Sequence, residues 1–344
     1  MTFKAKESTS SGTDFAGRFS RLLKRKKPKL SFIVVLYNMQ REGERTLQSL
    51  SKTYQYSTEL MDYEVIVIDN GSNPPFNFKA SNNCDIPVKF FYINDADPSP
   101  AAAINFGVSQ CSGDYVAIMI DGARMLTPGV VSKAATAITL ANQPLISVLG
   151  LHIGPEHQRM SVKKGYSKAV EDELLNQIDW WNNGYRLFEI SSWGGSSPFG
   201  WFGQCAESNC LILTKKFFSQ LNGYDETFTM PGGGLVNLDF YKRAVESTNA
   251  SLIYLLGEAS FHQLHGGVTT DNEDIGLSFE QLNVEYQRIR GKPYTAPTAT
   301  PYLFGSVAEA AAPAMQQAVD RIMSQRKFST AHQRYAEAVI VARD

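Results

Sequence analysis

Short apolar segments alternate with helix-like segments between residue 30 and residue 121, and this alternation constrains the fold more than any other feature. The apolar segments are LSFIVVL, YEVIVID, PVKFFYI and GDYVAIMI. Strands buried on both faces of a parallel sheet are continuously apolar in this way. Helical patterns such as REGERTLQSLSKTY separate them. The sequence therefore predicts an α/β fold with a doubly wound, mostly parallel sheet and right-handed crossovers.

Polar residues close each of the four predicted strands. They are Asn38, Asp69-Asn70, Asn94-Asp95 and Asp121. Ligands of open α/β sheets bind at the carboxyl ends of the strands. These residues are therefore the first candidates for a binding site.

The charged residues are almost balanced, since 33 Lys and Arg against 34 Asp and Glu give a net charge of −1. Binding nucleic acid by bulk electrostatic attraction needs an excess of cations on one face, so the composition argues against nucleic acid as a partner. With 43% hydrophobic and 19% charged residues, the 344-residue chain can bury a large core.

The sequence predicts a cytoplasmic protein. Its apolar segments are far shorter than the roughly 20 residues of a membrane-spanning helix. The first residues, MTFKAKESTSSGTDF, lack the apolar stretch of a secretory signal. The four cysteines are scattered without metal-ligand spacing, which favours reduced, buried thiols.

Residues 1–28 are polar and Ser-rich and end in a basic cluster, Lys24-Arg25-Lys26-Lys27-Pro28. This composition predicts a flexible tail. A solvated tail is the simpler interpretation. The alternative is a weak peripheral contact with anionic lipid headgroups, worth about 1 kcal/mol per basic residue.

The glycine-rich phosphate-binding motifs are absent, since neither Gly-x-Gly-x-x-Gly nor Gly-x-x-x-x-Gly-Lys-Ser/Thr occurs. A phosphate-bearing ligand would need another device, such as a divalent cation held by a carboxylate at a strand end. Asp121 stands at such a position. An aspartate that only caps the following turn is the competing interpretation.

The part of the chain between about residue 30 and residue 270 resembles glycosyltransferase family 2, which has a GT-A fold. The matching segments are SFIVVLYN, VIVIDNGS, AAAINFGVSQCSGDYVAIMID, LNGYDETF, LDFYKR and FHQLHGG. They follow the family's order from about residue 30 to residue 270. The resemblance implies a Rossmann-like GT-A sheet, with a nucleotide-sugar-binding half over residues 29–145, an acceptor-binding half of the same domain over 146–270, and a helical extension over 271–344.

The resemblance also implies a donor site. Tyr37 and Asn38 would flank the base and ribose of a nucleotide sugar, and Asp69 would accept a hydrogen bond from the nucleobase, which favours uracil. Asn105 would lie near the donor. Asp121 would hold a divalent metal, Mn²⁺ or Mg²⁺.

A late histidine would add a metal ligand. The candidates are His262 and His265. On a strand, residues three apart face opposite sides, and only one of the two rings need point inward to serve as a ligand.

The chain departs from the family at two places. The second acid of the Asp-x-Asp motif is Ala123, which would weaken a metal site. Arg124 offers a metal-independent alternative, because a guanidinium can bind diphosphate oxygens. A surface ion pair is the competing role for this arginine.

The second departure concerns the catalytic base, which an inverting transfer needs in order to take the acceptor's proton. The family's acid pair becomes Val236-Asn237 here. Asp239 is the first remaining candidate, although it could instead cap a helix. Asp225 and Glu207 follow it.

Trp193 and Trp201 lie in a Gly- and Ser-rich segment, ISSWGGSSPFGWFGQ, and are candidates for stacking on a sugar acceptor. A mobile loop of this kind can exclude water from a reactive donor. Packing in the core is the competing interpretation.

These features predict a glycosyltransferase that moves a sugar from a nucleotide-diphosphate donor, with UDP favoured, to a glycan or lipid-linked acceptor with inversion. The alternative is a catalytically inactive GT-A-like binding or scaffolding module, because Ala123, Val236 and Asn237 each replace an expected acid.

Overall fold

The computed structural model describes residues 27–78, 85–266 and 279–325. The predicted basic tail before Lys27, with its proposed lipid contact, lies outside these residues. So do residues 271–278 and 326–344 of the predicted helical extension.

Ten strands of the described residues form one open sheet. They are β1 (Lys29–Leu36), β2 (Asp62–Asp69), β3 (Val88–Tyr92), β4 (Tyr115–Met119), β5 (Arg124–Leu126), β6 (Pro144–Ile153), β7 (Ser191–Trp193), β8 (Leu211–Thr214), β9 (Ser251–His262) and β10 (Tyr302–Gly305).

The sheet is mixed but mostly parallel, in the order β10-β9-β6-β8-β4-β1-β2-β3. Strand β8 is antiparallel to both β4 and β6, whereas the other seven strands of this path run the same way. Short strands β5 and β7 add antiparallel pairs with β9 and β6. The fold class predicted from the sequence is therefore confirmed.

Nine α-helices accompany the sheet in the described residues. They are α1 (Gln40–Ser49), α2 (Ala101–Gln110), α3 (Val130–Ala137), α4 (Gln158–Lys163), α5 (Lys168–Gln177), α6 (Lys215–Gln220), α7 (Val236–Val245), α8 (Phe279–Arg290) and α9 (Ala312–Gln325).

Strand β1 shows why the sheet is covered on both faces. Its residues Phe32 and Val34 belong to one apolar core, shared with α1 and α3. Ile33 and Val35 alternate with them and belong to the other core, shared with α2 and α7. Since successive side chains of a strand point to opposite faces, a continuously apolar strand needs helices on both sides.

The C-terminal part of the chain contributes more than helices. Besides α8 and α9, it supplies β10, which pairs in parallel with β9 at the edge of the sheet. The sequence predicted helices alone here, because Tyr302–Gly305 is short and largely exposed and shows no buried-strand pattern.

The parallel strands bring separate chain segments to one edge. Strands β1, β2, β4, β6 and β9 all end there, and β8 begins there, because its Leu211 pairs with Ile118 near the end of β4. This is the carboxyl edge of the sheet. Within the described residues, the helices are all too short or too polar to cross a bilayer.

Candidate functional site

Asp121, His262 and His265 form a tight cluster at the carboxyl edge, and their ligand atoms all lie within 4.8 Å of one another. His262 Nε2 lies 2.8 Å from Asp121 Oδ2. His265 Nε2 lies 3.7 Å from Asp121 Oδ1 and 3.1 Å from His262 Nε2. The structure thus brings together all three residues predicted as metal ligands.

Gly122 explains how Asp121 reaches this position just after β4. Its amide donates to the Val35 carbonyl at 2.8 Å, and its own carbonyl accepts from Thr46 Oγ1 at 2.6 Å. A Cβ at residue 122 would overlap both the Leu36 side chain and the Val35 carbonyl. Only glycine fits this close approach, which holds Asp121 over the end of β1.

Both histidine rings reach Asp121, although one ring would have been enough to add a ligand. Strand β9 ends at His262, and His265 lies in the loop that follows. Face alternation does not extend beyond the strand.

The loop that carries His265 is held through its neighbour Leu264. The Leu264 carbonyl accepts from Arg41 at 2.7 Å, and its amide donates to Glu171 Oε2 at 2.8 Å. Arg41 and Glu171 also pair with each other at 2.8 Å. Helices α1 and α5 therefore fix this loop from both sides.

The electrostatics of the cluster favour a charged aspartate beside a neutral imidazole. Burial opposes ionisation of Asp121, but His262, His265 and Arg124 outweigh it and lower the pKa of Asp121 well below its ordinary value. Burial, together with the nearby Arg124, lowers the pKa of His262 to about 4. The cluster at neutral pH therefore offers a carboxylate and an imidazole lone pair.

This donor set fits a divalent transition-metal ion. A neutral imidazole nitrogen and a carboxylate oxygen face each other at 2.8 Å in the His262–Asp121 pair, an arrangement of two electron-pair donors that a cation stabilises. Imidazoles suit transition metals, whereas Mg²⁺ prefers oxygen ligands. Of the two predicted ions, Mn²⁺ is the better match.

Ala123 and Arg124 follow Asp121 and occupy buried positions. Ala123 is completely buried in the core that α1 shares with the sheet, so a carboxylate there would lie among apolar side chains. Arg124 lies on β5 opposite His262 and pairs with Asp121 at 3.2 Å. The buried Arg124 guanidinium therefore balances part of the negative charge of the Asp121 carboxylate.

A groove of about 680 Å³ opens near the ends of β1 and β2. It is lined by Asn38, Met39, Gln40, Glu44, Ser72, Asn73, Pro74, Pro75, Phe76 and Asn77. Asn38 Oδ1 accepts from the Asn73 amide at 2.9 Å, which ties the two walls together. Tyr37 precedes this groove and is 57% exposed.

Asp69 is buried beneath the groove and does not open into it. One carboxylate oxygen accepts from the Ser72 amide at 2.8 Å and the other from the Phe76 amide at 2.7 Å. The structure therefore assigns Asp69 to shaping the groove wall, while the predicted direct contact with a nucleobase has no support in this geometry.

Asn105 and Arg243 clamp one turn from two sides. The Asn105 side-chain amide pairs with both backbone groups of Tyr224 at 2.9 Å. Arg243 donates to the carbonyls of Leu221 and Gly223, and its Nε donates to Asp239 at 2.8 Å. Asn105 and Arg243, which belong to two of the family-like segments, therefore stabilise the turn at Leu221, Gly223 and Tyr224.

Asp239 is 1% exposed, and both of its oxygens accept from Arg290. Asp225 pairs with the same arginine at 2.7 Å and accepts from Thr227. Burial opposes ionisation of Asp225, but Thr227 and Arg290 together lower its pKa. Neither acid is presented as a free base.

Glu207 lies in the loop before β8, at the carboxyl edge, and is half-buried. Its Oε2 accepts from Asn237 Nδ2 at 2.6 Å. Asn237 in turn accepts from the Tyr224 hydroxyl at 2.9 Å. The asparagine that stands in place of the family's acid therefore positions another carboxylate.

Trp193 and Trp201 are core residues, 2% and 0% exposed. Their rings pack edge to face at 4.9 Å, and their indole nitrogens donate to the carbonyls of Ala314 and Glu258. The predicted acceptor-stacking role does not fit these positions, since neither indole face is open.

We call the group of Asp121, His262 and His265 the metal-type cluster. Three residues beside it were not identified from the sequence: His152, His157 and Gln158. His152 is paired with His262 in the sheet register, and its ring lies 4.7 Å from that of His157. The signal was available, because the segment LISVLGLHI is continuously apolar like a buried strand and His152 stands near its end.

Residues 31–135 match the model of glycosyl transferase family 2, which confirms the family resemblance over that segment. No curated protein shows significant sequence similarity to the chain.

Solved structures of similar architecture include S. aureus TarS. The chain is 14% identical to it, with 76% of this chain and 42% of TarS covered and a TM-score of 0.44. The chain thus spans less than half of TarS. For TarS 1–349 in complex with UDP, the identity is 15%, the coverage 76% and 74%, and the TM-score 0.45.

Another is the mannosyltransferase PcManGT from Pyrobaculum calidifontis in complex with GDP-Man and Mn²⁺. The identity is 13%, the coverage is 95% of this chain and 87% of that chain, and the TM-score is 0.41.

Proposed function

We propose that the protein is a glycosyltransferase that moves a sugar from a nucleotide-diphosphate donor to a hydroxyl of a glycan or lipid-linked acceptor. The observation that carries this proposal is the cluster of Asp121, His262 and His265 at the carboxyl edge of a mostly parallel sheet. Open α/β sheets bind ligands at this edge. The match of residues 31–135 to a glycosyltransferase family supports it independently.

The metal-type cluster would receive the diphosphate. Asp121, His262 and His265 would hold Mn²⁺, which supplies positive charge against the leaving nucleoside diphosphate. The groove at the ends of β1 and β2 would take the nucleoside, beside Asn38 and the exposed Tyr37. UDP-linked sugars are the first donors to test.

Glu207 would act as the base of a single, inverting displacement. The acceptor oxygen bonds to the anomeric carbon, the bond from that carbon to the diphosphate breaks, and the acceptor's proton passes to the Glu207 carboxylate. Three observations favour Glu207 over Asp239 and Asp225: it lies at the carboxyl edge, it is half-exposed, and its carboxylate has an amide partner instead of an arginine.

Donor binding and turnover test this function together. Purified protein is titrated with UDP- and GDP-sugars in the presence of Mn²⁺ by calorimetry, and hydrolysis or transfer of the same donors is measured. We expect one donor class to bind and to turn over. Asp121→Ala should abolish metal-dependent binding, whereas Asp62→Ala, an exposed carboxylate at the opposite edge, should not. Silence across the whole panel would contradict the proposal.

A second candidate is a binding module without catalysis. Ala123 is buried in the core and Asn237 cannot accept a proton, and together with Val236 they replace three acids of the family pattern. Metal-dependent binding of a nucleotide sugar without transfer or hydrolysis would favour this function over the enzyme.

A further inference from the structure

Gln158 lies at the centre of a histidine cluster. It is completely buried and is the first residue of α4, next to β6 and β9. Its Oε1 accepts from Nδ1 of His152 at 3.1 Å and from Nδ1 of His262. Its Nε2 donates to the backbone carbonyl of His262 at 3.2 Å. One side chain therefore contacts both the ring and the backbone of a candidate metal ligand.

The backbone contact fixes which way the Gln158 amide points. A carbonyl oxygen can only accept a hydrogen bond, so the group that faces the His262 carbonyl must be the amide nitrogen. The amide oxygen must then face the two imidazole rings.

The orientation of Gln158 in turn fixes the protonation of the rings. An amide oxygen only accepts, so Nδ1 of His262 carries a hydrogen and Nε2 is the ring nitrogen left to face the cluster. That Nε2 lies 2.8 Å from Asp121 Oδ2 and 3.1 Å from His265 Nε2. The Nε2 atom is thus directed into the cluster, where a cation would take it as a ligand.

We propose that Gln158 is a residue that positions His262 for binding a divalent cation. Gln158 holds His262 in the Nδ1–H tautomer and so presents Nε2 as the ligand atom. The inference rests on the metal site of the proposed function. Partners of this kind orient metal-bound histidines, and their loss typically costs roughly 10- to 100-fold in metal affinity. His152 shares the amide oxygen and steadies it from the side of β6.

The tautomer can be read without metal or substrate. Long-range ¹H–¹⁵N spectra of the metal-free wild-type protein at pH 7.5 should show His262 with hydrogen on Nδ1. In Gln158→Met, which has similar volume but no strong acceptor, this tautomer should no longer dominate. A His262 ring without hydrogen on Nδ1 in the wild type would overturn the proposal.

Mn²⁺ binding, measured by calorimetry and by electron paramagnetic resonance, gives the second readout. We expect Gln158→Met to weaken Mn²⁺ binding by roughly 10- to 100-fold. Gln158→Glu keeps an acceptor for both rings but loses the donor to the His262 carbonyl, so it should bind Mn²⁺ less tightly than the wild type and more tightly than the methionine variant. If the methionine variant does not fold, the glutamate variant and the wild-type spectra decide the question.

Gln55 provides a matched control. It is also buried, and its amide bonds the carbonyls of Ser49 and Thr127 and the amide of Val131, away from the cluster. Gln55→Met should lower the melting temperature without changing Mn²⁺ affinity.

The outcomes separate this inference from the proposed function. Equal Mn²⁺ affinity in wild type, Gln158→Met and Gln55→Met would overturn the role of Gln158 and leave the transferase proposal intact. Failure of the wild type to bind Mn²⁺ would overturn the metal site, and this inference with it.

Discussion

Glu207 differs from the other acids near the carboxyl edge in what its carboxylate contacts. Asp239 and Asp225 both pair with Arg290, whereas Glu207 accepts from the neutral amide of Asn237. A base must be free to take a proton, and an arginine partner stabilises the charged carboxylate and lowers its basicity.

Glu207→Gln should therefore reduce turnover by at least about 100-fold, because the amide cannot accept a proton. Donor affinity and melting temperature should stay close to wild type, since glutamine keeps an acceptor for Asn237. Steady-state kinetics and calorimetry measure the two effects. Glu189→Gln, which changes an exposed carboxylate paired with Arg186, is the control. Full turnover in Glu207→Gln would exclude this residue as the base.

Glu64 makes a pH prediction at the opposite edge of the sheet. Its carboxylate is buried but accepts from Ser31 and Ser112. Burial opposes ionisation, yet the bonds from Ser112 and Ser31 and the charge of Lys29 outweigh it and lower the pKa to about 2, from 4.5. A carboxylate whose pKa is lowered by folding adds to the free energy of unfolding above about pH 5. This contribution is lost as the pH falls from about 5 to about 2.

Glu64→Gln should lower the free energy of unfolding at pH 7 by about 3 kcal/mol, at 1.4 kcal/mol per pKa unit. The difference from the wild type should shrink as the pH approaches 2. Urea unfolding at pH 7 and pH 3 tests this, with the exposed Glu59→Gln as control. A difference that does not change with pH would contradict the assignment.

Helix α8 is anchored to the rest of the protein by charge. Its Arg290 joins Asp239 on α7 to Asp225 in the turn, and its Glu285 accepts from the backbone amides of Thr229 and Met230. The Gly-rich segment that follows the turn is thus held between two helices. Arg290, Asp239, Asp225 and Glu285 therefore hold α8, α7 and the turn together.

Asp239→Ala should cost about 3 kcal/mol of stability, because it leaves Arg243 and Arg290 without their shared carboxylate. The Mn²⁺ affinity of the folded fraction should change by less than about twofold. Thermal unfolding and calorimetry measure these quantities. A variant that folds as stably as wild type but has lost turnover would instead identify Asp239 as the base.

The sequence predicts the strands of the sheet but not the antiparallel direction of β8, for a physical reason. Strands such as β1 are apolar on both faces, so the sequence pattern itself indicates that both faces are buried. The direction of a strand leaves no mark in its composition. Strand β8 is just as apolar as its neighbours, and it runs the opposite way because the chain enters it from the carboxyl edge.

Mn²⁺ should stabilise the whole molecule, because it binds the folded chain and ties β4 to β9. At a concentration of 100 times its dissociation constant, a ligand adds about 2.7 kcal/mol. For a chain of this size we expect the melting temperature to rise by roughly 5 °C and to return when the ion is chelated. Thermal scans with Mn²⁺ and with a chelator measure this. An equal rise in Asp121→Ala would contradict the site.

The candidate site was only partly predictable because its residues are of two kinds. Asp121, His262 and His265 follow predicted strands, so topology alone places them at one edge. Asp69 and Asn105 also belong to family-like segments, but their side chains form hydrogen bonds with nearby backbone amides and carbonyls. Sequence patterns show where a polar residue stands; its partners depend on loops that only the folded chain defines.

The distance along the chain between the members of the metal-type cluster has a practical consequence. The segment that matches the family, residues 31–135, contains Asp121 but neither His262 nor His265. A recombinant fragment cut to those boundaries would keep the groove and discard two thirds of the ligand set. Any dissection of this protein into minimal parts has to extend past His265, because coordination here is a property of the assembled sheet.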